Sequence, residues 1–217
     1  MLAPVLKYCS FSMERNLALA LVKAWVPRRR AFRVGERLVP FSVFDVAFMT
    51  GMPATGEKVI FEEENVETQI GNLVRERVHE LEQNELRRRK GRGGRKDNHV
   101  YKNFVGAMVN LCERYGAEEE VELWLKMYAW FVLSGVFFPR GVYVAAWELE
   151  RYANDVGGMS KYAWAEAIWR YLVESLDDMQ RRLANAVSEI QFNGFSLLLQ
   201  VRVLYSNKCT YSVILTL

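Results

Sequence analysis

Ala163-Trp-Ala-Glu-Ala-Ile-Trp-Arg-Tyr-Leu-Val-Glu-Ser-Leu176 is the stretch whose reading decides the fold. With the residues that follow, Ala165, Trp169, Leu172, Leu176, Met179 and Leu183 step by four and three along one face, the spacing of a helix that buries a single stripe. On the other side Glu166 and Arg170, Asp177 and Arg181, and Asp178 and Arg182 form acid-before-base pairs at i, i+4. Each such pair contributes only about 0.2–0.5 kcal/mol, so the apolar stripe is what holds this helix in place. Ser160 stands where an N-cap is expected.

Upstream, Val121-Glu-Leu-Trp-Leu-Lys-Met-Tyr-Ala-Trp-Phe-Val-Leu-Ser-Gly-Val-Phe-Phe-Pro139 packs aromatics at helical spacing and stops at proline. Its uncharged run, between Lys126 and Pro139, falls short of the roughly 20 residues that cross a membrane. It reads as a helix buried on most sides, with no membrane partner. Large rings at this spacing usually form the core. Trp124, Trp130, Phe131, Trp164 and Trp169 are assigned to it, with a fraction of them expected to line a groove for another protein, since aromatics also anchor interfaces. Spacing alone does not divide the two groups.

Toward the amino terminus, a helix is expected from about Ser12 to Trp25, ended by Pro27. Phe32-Arg-Val34 and Arg37-Leu-Val39 flank Gly35-Glu36, and glycine at the first central position suits a type II′ hairpin. Ser42 and Asp45 have the spacing of a capping box, and Gly51 with Pro53 ends the short helix between. Lys58 to Phe61 reads as extended. A longer helix then carries Val66, Ile70, Val74, Val78 and Leu81, with Glu62, Glu63 and Glu64 near its start and arginines near its end, as the macrodipole favours. Gly91 to Asn98 offers nothing apolar to bury and reads as disordered. Tyr101, Phe104, Met108, Leu111 and Tyr115 recur at helical spacing, and Val142 to Tyr152 reads as another helix closed by Asn154-Asp-Val-Gly-Gly158. The fold class is therefore mainly α: a single helical domain over 1–205 with a small β-hairpin near residues 32–39. A basic disordered loop is expected at about 87–99 and an atypical tail at 206–217.

The chain has 217 residues, 51% hydrophobic and 25% charged, enough for one substantial core. Cys9, Cys112 and Cys209 stand far apart, which suggests neither a disulfide framework nor a Cys-x-x-Cys metal site. The apolar hexad Leu17 to Val22 is too short and wrongly flanked for a secretory signal. Formal charge is +3, of which Arg87, Arg88, Arg89, Lys90, Arg92, Arg95 and Lys96 supply +7, leaving −4 for the remainder. Attraction to nucleic acid is thus expected from one segment rather than from a basic face. That run reads as a nuclear localisation signal or a phosphate grip, with a solvated loop as the neutral reading.

Leu21-Val-Lys-Ala-Trp25, Pro27, Phe32, Gly35-Glu36, Ser42-x-x-Asp45-Val-Ala47, Gly51-Met-Pro53 and Gly56-Glu-x-Val59 follow one another in an order that resembles the plant mobile domain. The aromatic segments above and Asn193-Gly-Phe-Ser-Leu-Leu-Leu-Gln200 extend the likeness over roughly residues 15–200. That family, also labelled aminotransferase-like, occurs in plant host proteins and transposable elements. The resemblance implies a helical domain of transposon ancestry, nuclear in several host forms, linked to gene silencing and meristem development, with phosphatase-like partners and no established catalytic residues. Ser206 to Leu217 departs from the family pattern.

Reaction chemistry finds little to stand on. A pyridoxal enzyme needs an imine-forming lysine, an acid for the pyridinium nitrogen and a phosphate cup. Lys126 and Lys161 sit among helical aromatics, and Gly157-Gly158 makes no phosphate loop. His79 and His99 lack companion ligands at metal spacing. Ser42 to Pro53 resembles the first helix of a helix-turn-helix, but Pro53, Gly56 and Lys58-Val-Ile-Phe61 occupy the place of a recognition helix. The expectation is a non-enzymatic nuclear protein-interaction module with no catalytic residues, cofactor or metal. The alternative is a nucleic-acid-binding fragment of a transposable element that uses the Arg87 to Lys96 run.

Overall fold

The computed structural model describes residues 15–61, 67–89, 106–111, 121–139, 147–185, 194 and 196–206. In chain order its elements are α1 (Arg15–Ala24), β1 (Trp25–Val26), β2 (Ala31–Val34), β3 (Arg37–Pro40), α2 (Val43–Thr50), α3 (Gln69–Arg89), α4 (Val121–Val132), α5 (Glu150–Asn154), α6 (Trp164–Ala184) and α7 (Leu197–Ser206). The protein is mainly helical with one small antiparallel sheet, in the order β1-β2-β3. It divides into two compact units. One is drawn from Ile60–Met159, the inserted unit; the other joins Ser10–Val59 to Ser160–Leu217, the split unit.

In the split unit, α1 stops one residue before Trp25, and Trp25-Val26 adds a third strand that the periodicity does not reveal. Pro27 explains it. The proline opens a 3₁₀ turn closed by Arg30 in the left-handed conformation (φ 46°), whose N–H donates to the Pro27 carbonyl at 3.2 Å. This reversal lays Trp25 opposite Phe32, with ring centroids 4.9 Å apart. At the hairpin tip Gly35 has φ 60° while Glu36 is not among the positive-φ residues, the pattern of a type II′ turn. The expected capping box on α2 is present: Ser42 N–H donates to Asp45 Oδ2 at 2.7 Å, and Asp45 N–H donates to Ser42 Oγ at 3.4 Å. Gly51, at φ 70°, closes the helix through its N–H to the Ala47 carbonyl.

The spine of this unit is α6. Ala165, Leu172, Leu176 and Met179 are buried as the stripe requires, while Trp169 and Leu183 are half-buried. Its polar side chains reach back to the first part of the chain. Trp169 Nε1 donates to the Phe41 carbonyl at 2.9 Å, Arg170 to the Val59 carbonyl at 2.8 Å, and Gln180 to the carbonyls of Val22 and Trp25. The Glu166–Arg170 and Asp178–Arg182 pairs form, at 3.8 and 2.7 Å. Asp177 does not take Arg181; it accepts from Trp25 Nε1 at 2.7 Å and Arg30 at 2.6 Å. Ser160 does not cap α6, because Val156–Lys161 is a 3₁₀ turn and the helix begins after Ala163. A backbone acceptor serves in its stead. Ala165 N–H donates to the Pro53 carbonyl at 2.9 Å, beside a parallel bridge between Glu57 and Tyr162.

In the inserted unit, α3 buries Ile70 and Val74 and half-buries Val78 and Leu81. It starts at Gln69, so Glu62, Glu63 and Glu64 are not in its first turn, which holds no acid. It runs on to Arg89, which places Arg87, Arg88 and Arg89 in the helix rather than in a loop beginning at 87. Residues 106–111 are helical. Met127, Trp130 and Phe131 form the buried side of α4, which continues as a π-helical segment, Leu133–Phe137, before Pro139. The helix expected over Val142–Tyr152 is seen from Trp147 on as a 3₁₀ turn leading into α5. Its first part, the stretch Gly91–Asn98 and the 207–217 part of the tail lie outside the described residues.

Candidate interaction surfaces

The most concentrated buried polar chemistry belongs to Glu150, whose side chain is 4% exposed. Its Oε1 accepts from the Thr68 hydroxyl at 2.5 Å and the Thr68 N–H at 3.3 Å, while Oε2 accepts from Arg75 at 2.7 Å. Thr68 Oγ1 in turn accepts from Gly71 N–H at 3.0 Å. Arg75 also lies over the Trp147 ring, 5.2 Å from its centroid. Thr68 precedes α3, so this carboxylate supplies negative charge and acceptors at a helix N-terminus where donors have no intrahelical partner. The Thr68 and Arg75 donors tie α3 to α5, while the Gly71 bond is local to the start of α3, so the cluster is a helix cap with a tertiary carboxylate. Sequence reasoning misses it because Thr68 and Glu150 are separated by 82 positions.

On α4 a flank beside the core face is also apolar. Val121 and Leu125 are 47% and 42% exposed, and Trp124 and Tyr128, both half-buried, stack with centroids 5.2 Å apart. These four fall at i, i+3, i+4 and i+7, the arrangement by which one helix face engages another. Alongside them Lys126 Nζ lies 2.7 Å from Glu122 Oε1. The hydrogen bond from Lys126, then its charge, holds the Glu122 carboxyl below the usual carboxylate range.

The split unit presents a different surface. Phe44 and Phe48, one turn apart on α2, are 76% and 92% exposed. Residues 23–37 hold six basic side chains, Lys23, Arg28, Arg29, Arg30, Arg33 and Arg37, against the single acid Glu36. All six are exposed. Residues 23–37 thus add a second stretch of positive charge to the Arg87 to Lys96 run, within a remainder whose net charge is negative. A count of net charge averages such a cluster away.

Of the aromatics assigned to core or groove, Trp130, Phe131 and Trp164 are buried and Trp124 and Trp169 half-buried. Trp169 is held by Phe41, so Trp124 is the one placed on an outward stripe. In the basic run, Arg87, Arg88 and Arg89 end α3, whereas Lys90, Arg92, Arg95 and Lys96 lie outside the described residues. His79 is exposed on α3, and His99 lies outside the described residues. Among the described residues no group of three or more His, Cys, Asp or Glu is placed to hold a metal, and no helix is long and apolar enough to cross a membrane. Past Gly51 no helix follows before residue 61, in keeping with an incomplete helix-turn-helix.

A family model described as "Domain of unknown function (DUF8566)" matches residues 2–200, and the chain belongs to that family. This corrects the resemblance to the plant mobile domain, no model of which matches; the motifs quoted for it are turn, cap and core signals that a helical fold demands in any lineage. Roles in silencing and meristem development, and the transposon ancestry, lose the support they drew from that likeness. No curated protein and no solved structure matches the chain.

Proposed function

We propose that this chain is a non-enzymatic interaction module of the nucleus that docks a protein partner on the outward face of α4. The observation that carries the reading is the second apolar stripe, Val121, Trp124, Leu125 and Tyr128, on a helix that already buries Met127, Trp130 and Phe131. A helix needs one apolar face to fold onto its own core; the exposed Val121 and Leu125 of the second are where an amphipathic segment of another protein would seat. The Arg87 to Lys96 run supports nuclear import. The carboxylate with the most unusual setting, Glu150, is engaged in holding α3, which leaves it no free role as an acid or base.

The test combines Val121→Asp with Leu125→Asp in the full chain, checked for unchanged helical circular dichroism, followed by proximity labelling in nuclei. The expected result is loss of a defined subset of labelled proteins. An unchanged set sinks the docking reading. A second reading, in which the Arg87 to Lys96 run grips nucleic acid, is favoured by its +7 charge. Deleting residues 87–96 separates the two, since protein partners survive the deletion if the stripe binds them and nucleic-acid retention vanishes if the run does.

A further inference from the structure

We propose that the split unit carries a binding surface for single-stranded polynucleotide, built from the exposed arginines of its sheet region and the exposed phenylalanines of α2. Arg28, Arg29, Arg33 and Arg37 are exposed and make no ion pair among the described residues. Arg30 differs, being tied to Asp177. Exposed, unpaired guanidinium groups match phosphates in charge and in fork geometry. In the β2–β3 register Arg33 shares one sheet face with Leu38 and Arg37 the other with Val34, and Phe41 N–H donates to the Arg30 carbonyl at 2.9 Å, which sets the start of α2 beside the turn that carries Arg28 and Arg29. Strand and helix rises of about 3.4 and 1.5 Å per residue keep hairpin and helix within the span of a few nucleotides.

The rings decide the chemistry of the ligand. Phe48, at 92% exposure, stands clear of the surface instead of sitting in an apolar recess. A protein hot spot needs a packed, desolvated pocket around its anchor, and no described residues form one around this ring. An exposed π-face is what a nucleobase stacks upon, and successive bases on successive rings is the way strands are held without sequence preference. Phe44 and Phe48 are offset by one helical turn, about 6 Å along the axis. A duplex keeps its bases stacked on one another and cannot offer them to rings on a convex helix, so the fit is to a single strand, of DNA or RNA. This surface is independent of the α4 stripe, which belongs to the other unit.

Fluorescence anisotropy with labelled oligo(dT), oligo(U) and a DNA duplex of equal length tests it, using the full chain with all seven charges of the Arg87 to Lys96 run replaced by Gln. The expected result is binding of both single strands, weaker binding of the duplex, and a salt slope near about −3 for four phosphate contacts. Phe44→Ala with Phe48→Ala is expected to weaken binding at least tenfold, and Phe48→Trp to restore it in the Phe44-containing chain with quenching of the new indole on titration. Arg28, Arg29, Arg33 and Arg37 changed together to Gln should flatten the salt slope. The proposal is overturned if no strand binds, if the alanine pair leaves affinity unchanged, if the duplex binds as tightly, or if poly-glutamate competes as well as oligo(dT).

Discussion

Two helices, α2 in the split unit and α3 in the inserted unit, solve the same problem with partners of different reach. Each begins with backbone N–H groups that lack intrahelical acceptors. For α2 both halves of the cap come from the chain next door, Ser42 and Asp45, three residues apart. For α3 the Thr68 hydroxyl accepts locally from Gly71 N–H, but the carboxylate that accepts from Thr68 is Glu150, 82 residues away. The α2 box forms as soon as the helix does; the carboxylate half of the α3 cap exists only once the tertiary fold brings α5 alongside α3. A local cap stabilises an element, whereas a distant one makes the element conditional on its surroundings.

The largest effect should come from removing the distant cap. Glu150→Ala leaves the buried Thr68 N–H and hydroxyl without the carboxylate they donate to, while Arg75, 44% exposed, regains water; hydrogen bonds to a charged group contribute about 1.5–3 kcal/mol each, and urea unfolding reads the loss directly. Next is Gly71→Ala, whose added Cβ would collide with the Glu150 carboxylate. That carboxylate is fixed by the Thr68 hydroxyl, the Thr68 N–H and Arg75, so overpacking of about 1–3 kcal/mol is expected. Combining Gly71→Ala with Glu150→Ala should cost less than the sum of the two, and strict additivity would break the account of the cap.

Ser42→Ala, by contrast, should cost about 1 kcal/mol, the range for a local N-cap, with the loss showing as faster unfolding or a shifted midpoint. A cost as large as that of Glu150→Ala would erase the distinction between the two helices. The smallest effect is at Lys126→Gln. Because Glu122 is held below its usual range by Lys126, the pair's contribution is present above the unfolded carboxylate pKa and fades as pH falls through the lowered folded value. The variant should therefore differ from the parent chain at neutral pH and converge with it in acid, which thermal melts across a pH series from neutral to strongly acidic would follow.

Legibility in the sequence follows the same division. The α2 box, the Gly35 turn, the Gly51 stop and the α6 stripe all rest on residues within a few positions of one another, and each stands in the structure as read. The β1 strand, two residues long, is too short for a period to show, and the Asp177 contacts with Trp25 and Arg30, the Pro53 cap of α6 and the Thr68–Glu150 contact depend on residues far apart in the chain, where periodicity carries no signal. Ser160 misleads because residue type and distance alone make it a good cap, while a 3₁₀ turn claims it. The candidate surfaces are less legible still. Spacing does not tell Trp124 from Trp130, Phe44 and Phe48 read as ordinary helix residues, and the arginines around the hairpin vanish into a net charge.

The arrangement of α6 bears on how the chain emerges from the ribosome. Val22, Trp25, Phe41 and Val59 offer carbonyls to Arg170, Trp169 and Gln180, residues translated more than a hundred codons later. At about 5–20 residues per second, the nascent amino-terminal segment from Leu21 to Phe32 waits about 8–33 s before Trp164–Ala184 is complete to cover it. Throughout that interval its apolar side chains Leu21, Val22, Trp25 and Phe32, all buried at the end, lack their companion helix, and chaperone occupancy should fall on this window of synthesis rather than on the stretch from Ile60 to Met159, which is complete before the spine arrives.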